Sequence, residues 1–479
     1  VNFIAVIHLV GAVWTAVGIA LTISILPALY FGDGGIFALG IVGVTTLALG
    51  FGSRFIARSA EAIRTREAFF SVIVVWITAC IIGALPYMIQ GLLGFTDALF
   101  ESVSGFTTTG ASVVADIESW PHGFIFWRSM THALGGMGIV VMSIALLPLL
   151  GYGGVELFQT EAVGPLKDKL TPRVRETARA LWLIYLGLMA AQTIAMRLGG
   201  MPWFDSLCHS FGTIATGGFS TKNSSIGFYQ SHYLTWVVIV FMLLGGINFA
   251  LHFSVLRGRP LAYFRDHEFR FWIIVIMVAI IVIVGINLKD STVGWMQTIE
   301  DAAFSVTSMV STTGFVTVDF DLWGPAPRFI LLMLLFTGSC AGSTCGSIKM
   351  FRWAVITKAI RLQFRRNLHP NALFPLRING KILPEEVVKS IAIFIVAYIS
   401  MVVIGALLIM MTGVDIVSAL SGSATCAAGC GPGLNLLGAT EVYMPLSNFA
   451  KYILMTEMLL GRLEIFALLV VFTRGFWRP

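Results

Sequence analysis

Charge is what this sequence has least of: Asp, Glu, Lys and Arg together make up 12% of its 479 residues, while 57% are apolar. Ordinary soluble proteins carry about 25% charged residues. Repeated apolar runs of about 20 residues would expose far more hydrocarbon than a soluble monomer tolerates. A water-soluble enzyme is thereby excluded. Cysteine is also sparse, at six residues, and no pair has zinc-finger spacing, so neither a disulfide framework nor a structural metal is indicated. None of the glycine runs forms a P-loop, so energy from ATP or NAD would need a separate chain. The eight histidines offer no metal constellation. His132 and His252 read as hydrogen-bonded packing residues within spans.

What is present is glycine, 49 residues of it, which membrane helices tolerate because it lets backbones approach closely. The net charge of +6 comes from clumps. Arg54, Arg58, Arg64 and Arg66 form one, Lys167, Lys169, Arg173, Arg175 and Arg179 a second, and Arg257, Arg259, Arg265 and Arg270 a third, while nine more run from Lys349 to Lys389. Intervening loops at 31–35, 91–127, 199–234, 289–327 and 412–450 carry almost none. The positive-inside bias makes the basic loops cytoplasmic, and no nucleic-acid partner is needed to explain the sign. Apolar windows near 2–30, 36–53, 69–92, 129–150, 180–198, 234–256, 271–288, 328–348, 387–411 and 446–472 predict ten crossings with both termini cytoplasmic. The first 30 residues lack a basic n-region and a persuasive cleavage site, and read as a retained span. The expected fold class is an all-α polytopic membrane protein.

Four of the outward loops repeat a pattern: Asp97-Ala-Leu-Phe…Thr107-Thr-Thr-Gly110, Asp205-Ser-Leu-Cys…Ile214-Ala-Thr-Gly217, Asp301-Ala-Ala-Phe…Ser311-Thr-Thr-Gly314 and Asp415-Ile-Val-Ser…Cys426-Ala-Ala-Gly429. From Asp to glycine is 13, 12, 13 and 14 residues. Each copy lies between two spans, so the unit is span, short helix, glycine turn, span. The organisation predicted is a hairpin over 1–60 followed by repeats over 61–155, 156–262, 263–366 and 367–479. A helix of 8 to 11 residues is too short to cross a bilayer and must be re-entrant. The Asp is expected to cap its N-terminus, leaving the partially negative end aimed inward, where it attracts cations. Non-helical backbone at membrane depth is tolerated only inside protein or along a watery cavity. Four such turns at one axis would offer carbonyl oxygens in place of an ion's hydration shell. The bland alternative is that Thr-Thr-Gly merely ends a short helix, a reading that four copies in outward loops disfavour.

The four units resemble the Trk/Ktr/HKT superfamily of potassium uptake proteins over essentially the whole chain. Supporting stretches are Gly135-Gly-Met-Gly138, Gly245-Gly-Ile-Asn248, Thr160-Glu-Ala-Val-Gly-Pro-Leu166 with Leu170-Thr-Pro172, Gly346-Ser-Ile-Lys349 and Gly461-Arg-Leu-Glu464. The resemblance implies one pore on a pseudo-fourfold axis, usually in a homodimer, in a bacterial inner membrane. It places the potassium filter at the backbone of Thr109, Gly110, Thr216, Gly217, Thr313, Gly314, Ala428 and Gly429, potassium being the permeant ion and no cofactor lying in this chain. Ala428 departs from the Thr of the other copies, and Gly431 is an alternative fourth filter glycine. Glycine in all four places fits potassium preference, since serine in the first marks sodium-conducting relatives. The resemblance also implies a TrkA-like cytosolic ring with nucleotide-binding regulatory domains, for which the basic stretch from Lys349 to Lys389 is the natural docking surface. That stretch equally suits anionic membrane lipid.

Two further features bear on flux. Charge at mid-bilayer is costly, and the last span carries Lys451, Glu457, Arg462 and Glu464. Arg462, near its midpoint, is expected to project into the path below the filter and limit cation flux, in agreement with the resemblance; an interhelical ion pair is the alternative. Residues 337–347, Thr-Gly-Ser-Cys-Ala-Gly-Ser-Thr-Cys-Gly-Ser, make a poor continuous helix. Gly338, Gly342, Ser343 and Gly346 therefore define a candidate gate, matching the intramembrane loop of the superfamily; a small-residue packing seam is the alternative. A rival class is a secondary transporter rocking around a midplane site for an organic solute, against which four same-direction repeats argue. An intramembrane enzyme lacks an activated nucleophile or metal triad.

Overall fold

Apolar sequence without breakers makes long helices here, and glycine or a capping side chain ends them. The computed structural model describes residues 2–57, 65–145, 170–290, 294–369, 371 and 374–477. Arg58, Arg64, Lys167, Lys169 and the Thr160 to Leu166 stretch lie outside the described residues. Among the described residues six helices are long and apolar enough to span a membrane: Phe3–Phe31, Ile36–Ile56, Arg66–Ile89, Glu176–Leu198, His267–Leu288 and Glu385–Met410. The first two pack antiparallel through small residues. A methyl on Gly18 would stand 2.9 Å from the Leu47 amide nitrogen, and one on Gly50 2.7 Å from that of Thr15, so the backbones nearly touch.

The other predicted windows are short or broken. Helix His232–Gly246 meets Phe249–Leu256 at 99°, and the Asn248 side chain caps the second piece through the Ala250 amide. Pro325–Leu334 stops after 10 residues, and no helix resumes until Met350–Leu368. Asn448–Arg462 gives way to Ile465–Leu469 across Glu464, whose φ is 57°. The fourth window is helical over His122–Ala145, its remainder lying outside the described residues.

Between the long helices lie four short ones, Phe95–Phe106, Trp203–Ile214, Trp295–Val310 and Ile416–Ala428. At 12, 12, 16 and 13 residues they exceed the expected length, yet remain below the roughly 20 residues a crossing needs. Only the fourth follows the expected cap among them: the Asp415 carboxylate accepts the Val417 and Ser418 amides. Asp97 and Asp205 fall within the first turn, where a carboxylate favours the helix dipole without capping. Asp301 is set further in, because the third helix begins about a turn earlier, and accepts the Gln297 side-chain amide at 2.7 Å. Apolar residues of the long helices form the main clusters around the short ones. The only sheet among the described residues is a two-stranded hairpin, Arg377–Ile378 with Lys381–Ile382, in the basic stretch.

Candidate functional site

All four short helices end in one hydrogen-bond pattern. In the first, the Thr108 amide donates to the Gly105 carbonyl and the Thr109 amide to that of Ser104. The pair recurs as Thr216 to Thr213 with Gly217 to Gly212, Thr312 to Met309 with Thr313 to Ser308, and Gly429 to Cys426 with Cys430 to Thr425. This is a Schellman termination, which needs a left-handed residue just past the helix. Thr108, Thr216, Thr312 and Gly429 fill that place with φ of 53°, 55°, 53° and 72°. Three of them are threonines, in a conformation that costs a side-chain-bearing residue about 1–2 kcal/mol, so the surrounding packing must impose it. Two residues later the chain returns to positive φ at Gly110, Gly218, Gly314 and Gly431, at 80°, 79°, 77° and 95°.

These glycines bring the bends together. A methyl on Gly110 would stand 2.1 Å from the Gly217 carbonyl oxygen, and one on Gly218 2.0 Å from that of Thr313. On Gly314 it would stand 1.7 Å from the Cys430 oxygen, and on Gly431 2.9 Å from that of Thr109. The contacts run from first to second, second to third, third to fourth and fourth back to first. The bends therefore close a ring in chain order.

The ring aligns the bends in a register different from the one read from sequence. Gly217 and Gly218, Thr313 and Gly314, and Cys430 and Gly431 stand where Thr109 and Gly110 stand in the first bend. Thr216 corresponds to Thr108, so the second copy shifts by one residue. Ala428 is still helical and Gly429 is the left-handed helix terminator, so the fourth copy shifts by two. Gly217 has its own reason to lack a side chain, since a methyl there would meet the His132 ring at 2.5 Å.

On the helix side of this ring lies the non-helical stretch after Leu334. Gly338 and Gly342 have φ of 64° and 75°, and the Ser343 hydroxyl donates to the Cys340 carbonyl. The Gly346 amide donates to Thr312 Oγ1 at 3.0 Å, and a methyl on Gly346 would stand 2.0 Å from the Ala428 oxygen. Thr344 Oγ1 donates toward the Ile214 and Gly245 carbonyls. The stretch thus touches the second, third and fourth bends at once. Arg462 reaches it too: Nη1 donates to the Thr344 carbonyl at 2.7 Å, while Nε and Nη2 are buried without a partner. Glu457 instead accepts the Ser423 hydroxyl at 2.6 Å, and Glu464 pairs with Arg352. Both glutamates serve neighbouring helices, and Arg462 contacts a carbonyl rather than an acid.

Sequence reading missed two charges that hold this stretch. Lys349 Nζ donates to the Cys345 and Ser343 carbonyls, and Glu268 Oε1 accepts the amides of Ala341 and Phe351 at 2.7 and 2.8 Å. Both lie in clumps read as basic loops. The available signals were a lysine directly after a glycine-rich stretch and an acid among arginines.

A family model described as "TrkH: Cation transport protein" matches residues 36–476. The chain belongs to the TrkH family. That family is described by transport and not as a class of enzyme. This TrkH-family chain is 39% identical, over the full length of both, to the Trk system potassium uptake protein TrkH of Escherichia coli, and 40% identical over 88% of each to that of Salmonella typhimurium. It is 35% identical, over 95% of its own length and 96% of the relative's, to the Escherichia coli protein TrkG. The crystal structure of the potassium transporter TrkH from Vibrio parahaemolyticus superposes with a TM-score of 0.92, at 34% identity and complete coverage of both chains.

The quoted glycine motifs have one shared use in this TrkH-family fold. A methyl on Gly135 would lie 1.9 Å from the Phe106 oxygen, and one on Gly461 2.0 Å from the Ala427 oxygen. On Gly245 it would lie 3.3 Å from the Ile214 oxygen. Each motif lets a span press on the end of a short helix, and in the third unit the Ser339 hydroxyl meets the Val310 carbonyl instead, at 2.9 Å.

Proposed function

We propose that this TrkH-family protein takes up potassium across a bacterial inner membrane through one pore formed by the four bends. The observation that carries the reading is the closed ring of glycines with its repeated φ pattern. Left-handed backbone two residues apart turns carbonyls toward one side, and a ring of them replaces the water of a monovalent cation. In the register of the ring, the potassium sites are the carbonyls of Thr109 and Gly110, Gly217 and Gly218, Thr313 and Gly314, and Cys430 and Gly431. The names of the relatives, potassium uptake proteins, supply the ion.

Ten crossings follow if His122–Ala145, the bent pair from His232, and the two broken elements beginning at Pro325 and Asn448 each join the six long helices. Both termini are then cytoplasmic, and the chain divides into a hairpin and four repeats at the boundaries read from sequence. The stretch with Gly338, Gly342, Ser343 and Gly346 obstructs the pore below the filter, and Arg462 sets a fixed positive charge beside it. The protein works as a homodimer, with a TrkA-like nucleotide-binding ring docked on the basic stretch after Lys349 and anionic lipid around it. Flux into proteoliposomes holding this chain alone tests the reading. Saturable current reversing at the potassium equilibrium potential is expected; sodium carried as well as potassium, or uptake that requires a proton gradient, contradicts it.

A further inference from the structure

Behind the ring, the first two bends are tied by a buried ion pair. Glu101 is fully buried on the first short helix, nine residues before Gly110. Its Oε2 accepts the Val113 amide at 3.1 Å, and its two oxygens accept the Ser112 hydroxyl at 3.1 and 3.2 Å. The chain leaving the first bend is therefore anchored to this carboxylate. Arg128, also buried, donates from Nε to Glu101 Oε1 at 2.5 Å and from Nη1 to the Ser220 carbonyl at 3.1 Å. Its guanidinium lies 3.4 Å from the centre of the Phe219 ring. One turn on, His132 Nδ1 donates to the Gly105 carbonyl and Nε2 accepts the Phe219 amide. The segment leaving the second bend, Phe219 and Ser220, is thus held by the ion pair that anchors the first.

The places nine residues before Gly218, Gly314 and Gly431 hold His209, Ser305 and Gly422. His209 Nε2 accepts the Ser220 hydroxyl at 2.9 Å. At the exits of the third and fourth bends Ser308 donates to the Phe315 carbonyl and Ser421 accepts the Leu434 amide, and Asp321, paired with Arg328 at 3.1 Å, accepts the Asn435 amide at 3.0 Å from a partly exposed position. Charge-assisted bonds are shorter and stiffer than neutral ones, and a buried charge that loses its partner is strongly unfavourable. The Glu101–Arg128 bridge, with side chains 0% and 6% exposed against 17% and 26% for Asp321 and Arg328, is therefore the less compliant of these two charged braces.

We propose that Glu101 and Arg128 are positioning residues for ion selectivity: their bridge fixes the spacing between the first and second bends, and so holds the ring at the width that separates potassium from sodium. This rests on the proposed function. Its closing experiment compares initial uptake of potassium and sodium into proteoliposomes by the full-length chain, by Glu101→Gln and by Glu101→Asp. Elution volume and melting temperature confirm that each variant is folded. Glu101→Gln keeps the shape and removes the charge, so the potassium-to-sodium ratio should fall by about tenfold, the scale of one charge-assisted bond. Glu101→Asp should recover part of it. If Glu101→Gln does not fold, Arg128→Lys, which keeps the charge but not the two-directional reach, carries the same expectation. A folded variant in which both rates drop together and the ratio stays constant overturns the proposal, because that is the signature of a merely structural role. Failure of the parent chain to discriminate between the ions would instead overturn the proposed function.

Discussion

At the scale of single residues, buried charges differ in whether they have partners. Lys451 donates to Asp97 at 2.7 Å, Arg352 to Glu464 and Arg128 to Glu101, whereas Arg462 meets only a carbonyl and keeps two buried nitrogens unpartnered. An unneutralised cation beside the path raises the barrier to another cation. Arg462→Ala should accordingly raise potassium flux by about tenfold, equivalent to about 1.4 kcal/mol off the barrier, measured as rubidium uptake into proteoliposomes; unchanged flux removes Arg462 from the pore. The charge of Arg462 within an apolar span was legible in the sequence because such residues are expensive. Its contact with Thr344 was not, since residues 118 positions apart meet only through folding. Glu101 and Arg128 went unread for the same reason: one lies in an outward loop and the other at the margin of an apolar window, and only the fold makes them neighbours.

At the scale of elements, four bends were legible because each needs glycine after a short helix, yet their register was not. Counting from the aspartates assumes four equal caps, and only Asp415 caps its helix. Adjacent candidates at Gly217 and Gly218, and again at Gly429 and Gly431, look alike in sequence. Backbone φ separates them, the terminator standing two residues before the ring glycine in every copy. The break after Leu334 was also legible, from its glycines and small polar residues, whereas the bend at Asn248 was not, because the apolar window runs on through it. The stretch after Leu334 contacts three bends and is pinned by Arg462, Lys349 and Glu268. Deleting residues 339–345 should raise unregulated rubidium uptake by at least about tenfold on the same barrier scale. Unaltered uptake and regulation in a folded deletion variant would show that this stretch is no gate.

At the scale of the whole molecule, the charge distribution and the repeat describe one architecture. On the proposed topology the basic clumps lie on the cytoplasmic side and orient the spans, and four units in the same direction leave four bends free to converge. Convergence is the part that composition does not encode: it needs the close backbone approaches at Gly135, Gly245 and Gly461 that seat each short helix against a span. The central claim is that the converged bends bind a dehydrated potassium ion. The most direct measurement is anomalous scattering from crystals of the protein grown in rubidium, an ion of nearly the same size. A peak on the ring axis, equidistant from the carbonyls of Gly110, Gly218, Gly314 and Gly431 and lost in excess sodium, is the predicted result. Rubidium bound away from that axis, or an axis left without a peak under saturating rubidium, would contradict it.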